Sequence, residues 1–164
     1  MTIRFGLLTL SDRSARGERA DASGPILADL IRTQNWSVTK QAILPDEEFA
    51  ISTILIEWAD SGEVDIILTT GGTGFAPRDV TPEATRAVIQ RDAPGLAETM
   101  RAESLKKTPH AILSRAIAGI RGRTLIVNLP GGPKGALENL QTILPVLSHA
   151  VQLLMDDPGS EASH

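Results

Sequence analysis

Cysteine is absent from the chain, which excludes disulfides, thiolate metal centres and a cysteine nucleophile. Aromatic residues make up only 3%, and Lys and Arg are scattered, so the basic stripe and stacking rings of a nucleic-acid binder are missing. The formal net charge of −4 points the same way. No apolar run approaches the roughly 20 residues of a membrane-spanning helix. The opening Met1–Leu10 is interrupted by Ser11-Asp12-Arg13 too soon for a secretory h-region. A cytoplasmic protein is expected, with a small-molecule ligand, no nucleic acid and no membrane.

What is present is ample apolar material. Hydrophobic residues reach 41% of 164, and a chain of this length buries roughly 68–70% of its unfolded surface without a staple. Ile3 to Leu10 reads as a buried strand, and Gly24-Pro25 opens a helix with Ile26, Leu27, Leu30 and Ile31 on one face. Ser37 to Leu44 reads as a strand. Behind the acidic turn Pro45-Asp46-Glu47-Glu48, residues Ile51, Ile54, Leu55 and Trp58 form an amphipathic stripe. Val64 to Thr70 is a β-branched central strand, and Thr81-Pro82-Glu83 predicts a helix with Thr81 as N-cap. Asp92-Ala-Pro94-Gly95 interrupts that helix, and a second runs to about Lys107. Ile117 to Asn128 predicts two strands about Gly122-Arg123. The last helix carries Leu137, Leu140, Leu144, Leu147, Val151 and Leu154, with Pro145 expected to kink or split it.

Alternating strands and helices imply an α/β fold: a three-layer α/β/α sandwich with a mostly parallel sheet. One domain is expected over 1–155, with a polar tail over 156–164. In such sheets ligands sit beyond the carboxyl ends of the strands. Three loops leave from such ends, at Ser11, Gly71 and Pro130, and one pocket fed by all three is the economical picture.

The Gly71–Asp79 loop carries the most chemistry. Its glycines accept positive φ and let the backbone approach a ligand, and successive N–H groups near a helix N-terminus suit phosphate. It is neither a Walker A motif nor a dinucleotide fingerprint, because no Gly-Lys-Ser/Thr follows and Pro77 stands where a third glycine would be. A tight turn that merely needs glycines is the plainer alternative. Pro130-Gly131-Gly132-Pro133 repeats the context. Arg13, Arg16, Arg78, Arg115 and Lys134 lie in or beside loops of an acidic protein, which favours an anionic ligand. Asp46 and Asp79 each follow a strand near a helix start. Capping is the simpler account of either, and Mg²⁺ held with substrate phosphates is the functional one. His110, His149 and His164 show no ligand spacing, and Ser11 and Ser114 lack a base, so both serines are binding candidates.

The block Thr69-Thr-Gly-Gly-Thr-Gly-Phe-Ala-Pro-Arg-Asp-Val-Thr-Pro-Glu-Ala-Thr85 resembles the signature of the molybdenum-cofactor biosynthesis family that includes bacterial molybdopterin adenylyltransferases and gephyrin-type G domains. Ser11-Asp12-Arg13, Pro45-Asp46-Glu47, Ile112-Leu-Ser-Arg115 and Asn128-Leu-Pro-Gly131 resemble its other blocks in the same order, from about Ile3 to Leu154. The resemblance implies Mg²⁺-dependent transfer of AMP from ATP to the terminal phosphate of molybdopterin, in a homotrimer that could serve a molybdenum insertase. It also implies metal-holding catalytic roles for Asp46 and Asp79, and nucleotide contacts from Thr70, Gly71, Gly72, Thr73, Gly74 and Phe75. Ser11, Asp12, Arg78, Ser114, Arg115, Asn128, Pro130, Gly131 and Lys134 would line the molybdopterin pocket. The sequence Pro-Gly-Gly-Pro-Lys after Leu129 departs from many relatives. A non-catalytic molybdopterin-binding scaffold and a nucleotide pyrophosphohydrolase are the alternatives.

Overall fold

The computed structural model describes residues 1–156, so the tail expected over 156–164 lies, apart from Asp156, outside the described residues. Six strands form one sheet: β1 (Arg4–Leu10), β2 (Ser37–Leu44), β3 (Ile66–Thr70), β4 (Arg91–Asp92), β5 (Ala118–Arg121) and β6 (Thr124–Leu129). Their order is β2-β1-β3-β6-β5-β4. The pairs β1–β2, β1–β3 and β3–β6 are parallel, and β5–β6 and β4–β5 are antiparallel. The mostly parallel sheet read from the sequence is therefore present, with an antiparallel edge.

Strand residues alternate between two cores, as a period of two requires. Phe5, Leu7, Ile66, Leu68, Leu125 and Val127 pack on one face with helices α2 (Ser23–Thr33), α5 (Pro94–Leu105) and α6 (Pro133–Leu154). Leu8, Leu10, Ile67 and Ile126 pack on the other with α3 (Glu48–Asp60) and α4 (Thr81–Arg86). Three layers result, as expected.

Four local readings change. Pro145 lies inside α6, which continues through it for all 22 residues. Leu140, Ile143, Leu147 and Val151 bury one face on either side of it, so tertiary packing offsets the missing backbone bond. Arg91–Asp92, where the helix expected before the Asp92–Gly95 break would end, pairs with Gly119 and Ile120 as the edge strand β4. The loop after Ser11 contains the short helix α1 (Asp12–Ala15), capped by the Ser11 hydroxyl, which accepts from the Ser14 N–H. Thr81 is not an N-cap, a position held by Val80. Its buried hydroxyl donates to the Gly71 carbonyl at 2.9 Å and its N–H donates to the Gly72 carbonyl at 3.1 Å. The Thr81 side chain braces the glycine bend instead.

Beyond β1 the chain crosses to β2 on one side, and β3 lies on the other. The carboxyl ends of β1 and β3 therefore frame a crevice where the connections diverge, the place at which such sheets receive ligands. Among the described residues no helix is long and apolar enough to cross a membrane.

Candidate functional site

The bend at Gly71-Gly72 needs glycine on two counts. Both residues have positive φ, +105° and +68°, and a Cβ on Gly71 would run into the Leu10 carbonyl oxygen. A Cβ on Gly72 would meet the Thr81 hydroxyl and lie 3.1 Å from Asp46 Oδ1. The neighbouring loop is drawn to the same place. Thr70 donates its hydroxyl to the Pro130 carbonyl at 2.7 Å, Ser23 donates to the Gly131 carbonyl at 2.7 Å, and the Gly71 N–H donates to the Leu129 carbonyl.

A cleft of about 470 Å³ opens there, lined by residues of all three expected loops. Ser11, Asp46, Thr70, Gly71, Gly72, Asp79 and Gly131 line it. Thr73, Gly74, Ser114, Asn128 and Pro130 line instead a second cavity of about 330 Å³, walled by α5, α6 and a 3-10 turn over Pro109–Leu113. The single expected pocket is thus two, both bordered by the same glycine loop.

Asp12, Phe75, Arg78, Arg115 and Lys134 line neither cavity. Phe75 is 69% exposed. Arg78 grips the Asp12 carboxylate with two bonds of 3.0 and 2.8 Å. Arg115 pins the loop, donating to the Gly74 carbonyl, the Asp79 carbonyl and both oxygens of Glu83. Lys134 is exposed on the first turn of α6. Asn128 is wholly buried. Its amide donates to Thr69 and Thr85 while its carbonyl accepts from the Ile117 N–H, which spends its hydrogen-bonding capacity on the fold.

Neither aspartate caps the helix that follows it. Glu47, not Asp46, is the residue before α3, and Asp79 Oδ2 accepts from the Ala76 N–H within its own loop. Asp46 Oδ2 accepts from the Asp12 N–H, while Asp46 Oδ1 is buried without a hydrogen-bond partner. Burial raises the Asp46 pKa above the ordinary 3.8, and the nearby Asp12 and Asp79 charges add to the rise. Asp12 moves the other way, because the Arg78 guanidinium stabilises its charged form. A buried carboxylate oxygen with no donor, facing further negative charge, fits a cation. Among the described residues no cluster of three or more His, Cys, Asp or Glu is arranged to hold one unaided.

Sequence reasoning missed Thr9, Ser14, Arg19, Asp21 and Ser23, all of which line the larger cleft. Asp21 accepts from the Thr9 hydroxyl and from the Gly24 N–H at the start of α2. An Asp three residues before Gly24-Pro25, where a helix opens, was the available signal.

The sequence profile of the family described as "Probable molybdopterin binding domain" spans residues 6–149 of the chain. The chain belongs to this family. Among its relatives within the molybdopterin-binding family, the Drosophila melanogaster "Molybdenum cofactor synthesis protein cinnamon" is 49% identical over 158 residues. That match covers 95% of this chain but only 26% of the Drosophila protein, so the chain spans about a quarter of that relative. The "Molybdopterin adenylyltransferase" of Helicobacter pylori strain J99 is 43% identical, over 94% of this chain and 89% of its own length. The solved structure of the molybdopterin biosynthesis enzyme MoaB from Thermus thermophilus superposes with a TM-score of 0.90 at 51% identity, covering 96% of this chain and 99% of that one.

Proposed function

We propose that the protein transfers AMP from Mg-ATP to the terminal phosphate of molybdopterin and releases pyrophosphate. The observation that carries this is the placing of the positive-φ glycine bend at Gly71-Gly72 beside the buried, unpartnered Oδ1 of Asp46 in one cleft. Support comes from the likeness to the Helicobacter adenylyltransferase along 89% of that enzyme's length.

The reaction needs no strong base, because the attacking phosphate oxygen is already ionised at neutral pH. That oxygen forms a bond to the α-phosphorus of ATP as the bond from that phosphorus to the bridging oxygen breaks, and the electron pair leaves with pyrophosphate. The barrier lies in bringing two anions together. The amides of Gly72, Thr73 and Gly74 would orient the nucleotide phosphates, and the Thr81 hydroxyl and the Arg115 fork keep that loop in shape. Asp46 and Asp79 would hold Mg²⁺, which when bound neutralises phosphate charge. Two cavities bordering one loop would suit two phosphorylated substrates meeting there.

Mixing the protein with ATP, Mg²⁺ and molybdopterin should release pyrophosphate only when all three are present. AMP released without the pterin would make the protein a pyrophosphohydrolase, and pterin binding without turnover would make it a scaffold. The homotrimer and the hand-over of product to a molybdenum insertase belong to the same proposal. Light scattering should give three times the 17.5 kDa of one chain.

A further inference from the structure

Three carboxylates, Asp21, Asp46 and Asp79, line the larger cleft, and Arg19 is the one cation among the described residues that lines it with them. A polyphosphate entering such a cleft meets negative charge on several sides, so its binding depends on whatever positive charge is free to face it. Of the other guanidiniums near the loops, Arg78 is committed to Asp12, Arg16 to both oxygens of Glu18, and Arg115 to Glu83 and two carbonyls, while Arg13 is exposed and lines neither cavity. Arg19 makes one hydrogen bond, from Nη2 to the Ser11 hydroxyl oxygen at 3.2 Å. Among the described residues it has no ion pair. A guanidinium has five N–H donors, so most of the Arg19 fork is available to a ligand.

Its tether sets where it points. Ser11 is buried at the end of β1, directly after Leu10, whose carbonyl oxygen packs against Gly71. The Ser11 hydroxyl is itself fixed by the Ser14 N–H at 3.2 Å. The guanidinium is therefore anchored at the end of β1, next to the glycine bend that follows β3. We propose that Arg19 binds the polyphosphate of the nucleotide in this cleft, as the cation that lines it together with the Gly71-Gly72 bend. This rests on the adenylyl-transfer function above, and it assigns a substrate contact to a residue of the loop between β1 and α2.

Arg19→Gln, Arg19→Lys and Gly72→Val are compared with the wild type for ATP and inorganic pyrophosphate binding by calorimetry, for KM and kcat, and for Tm. Arg19→Gln should weaken pyrophosphate binding and raise KM for ATP about tenfold or more, the usual weight of a charge-assisted hydrogen bond, with kcat and Tm little changed. Arg19→Lys should recover part of the loss. Pyrophosphate and ATP affinities within twofold of wild type in Arg19→Gln, alongside their loss in Gly72→Val, would overturn the Arg19 assignment and leave the cleft standing. A lowered Tm in Arg19→Gln with no recovery in Arg19→Lys would reduce Arg19 to a prop for Ser11 and overturn it equally. If wild type and Gly72→Val bind ATP alike, the nucleotide cleft itself fails.

Discussion

Asp12 and Asp46 are cross-bonded: the N–H of each donates to the carboxylate of the other, at 3.0 Å in both directions. The exchange ties the end of β1 to the end of β2. It also divides the labour of the Asp46 carboxylate, with Oδ2 serving the fold and Oδ1 left without a partner in a buried place. Asp12, by contrast, spends both oxygens, on the Asp46 N–H and on Arg78.

That division separates two substitutions at one position. Asp46→Asn keeps an oxygen for the Asp12 N–H but loses the negative charge, whereas Asp46→Ala loses both. Adenylyl transfer should fall by about 10²–10³-fold in each, the size of a lost electrostatic stabiliser. Only Asp46→Ala should also lose about 1 kcal/mol of stability, from the missing hydrogen bond. Pyrophosphate release and thermal melts check both parts. Near-normal turnover in Asp46→Asn would remove the metal-holding role.

The raised Asp46 pKa would make the proposed Mg²⁺ binding pH-dependent. A proton and the cation compete for the same carboxylate, so Mg²⁺ affinity should fall with decreasing pH from a point above the ordinary 3.8. The linked stability has a definite sign. Between 3.8 and the raised folded value the native state holds the extra proton, so this group's contribution falls as pH rises through the folded value. Asp12 contributes oppositely, since its lowered pKa gives stability that is lost as pH falls through its folded value. Magnesium titrations across pH, with Asp46→Asn as control, should show the acid limb in the wild type alone.

The sheet and its helices were legible because buried strands and helix stripes have different periods, and Leu7 and Leu8 go to opposite cores as that logic requires. The glycine bend was legible too, since Gly71 and Gly72 combine positive φ with no room for a Cβ. What escaped was set by long-range partners. Arg19 rather than Arg78 lines the cleft because Asp12 neutralises Arg78, while among the described residues no carboxylate neutralises Arg19; the contact that decides this joins residues 66 positions apart. The resemblance implies a pocket role for Asn128, within the strand that leads to Pro130-Gly131, whereas its amide is bonded into the fold. Its partners Thr69, Thr85 and Ile117 lie 59, 43 and 11 positions away, and no local pattern announces them.

Asn128→Leu should therefore act on stability. The change strands the half-buried Ile117 N–H and two buried hydroxyls, and an unsatisfied buried group costs about 1–3 kcal/mol. A loss of about 2–4 kcal/mol is expected, read as a lowered Tm of roughly 4–16 °C for a domain of this size. Intact stability with weakened substrate binding would return Asn128 to the role expected from the sequence.

Arg115 offers the cleanest separation of loop shape from charge. Its Nε reaches the Gly74 carbonyl at 2.8 Å, Nη2 reaches the Asp79 carbonyl at 2.6 Å, and Nη1 meets the Glu83 carboxylate. One fork thus fixes both ends of the segment that carries Asp79, without lining either cavity. A lysine keeps the charge but cannot reach three acceptors in fixed directions. Arg115→Lys should lower kcat/KM about tenfold or more, since a misplacement of about 1 Å at the reacting groups can cost 10²-fold. Glu83→Gln leaves both carbonyl bonds in place and should cost much less. Equal losses in the two variants would show that the ion pair, not the grip on Gly74 and Asp79, is what the loop requires.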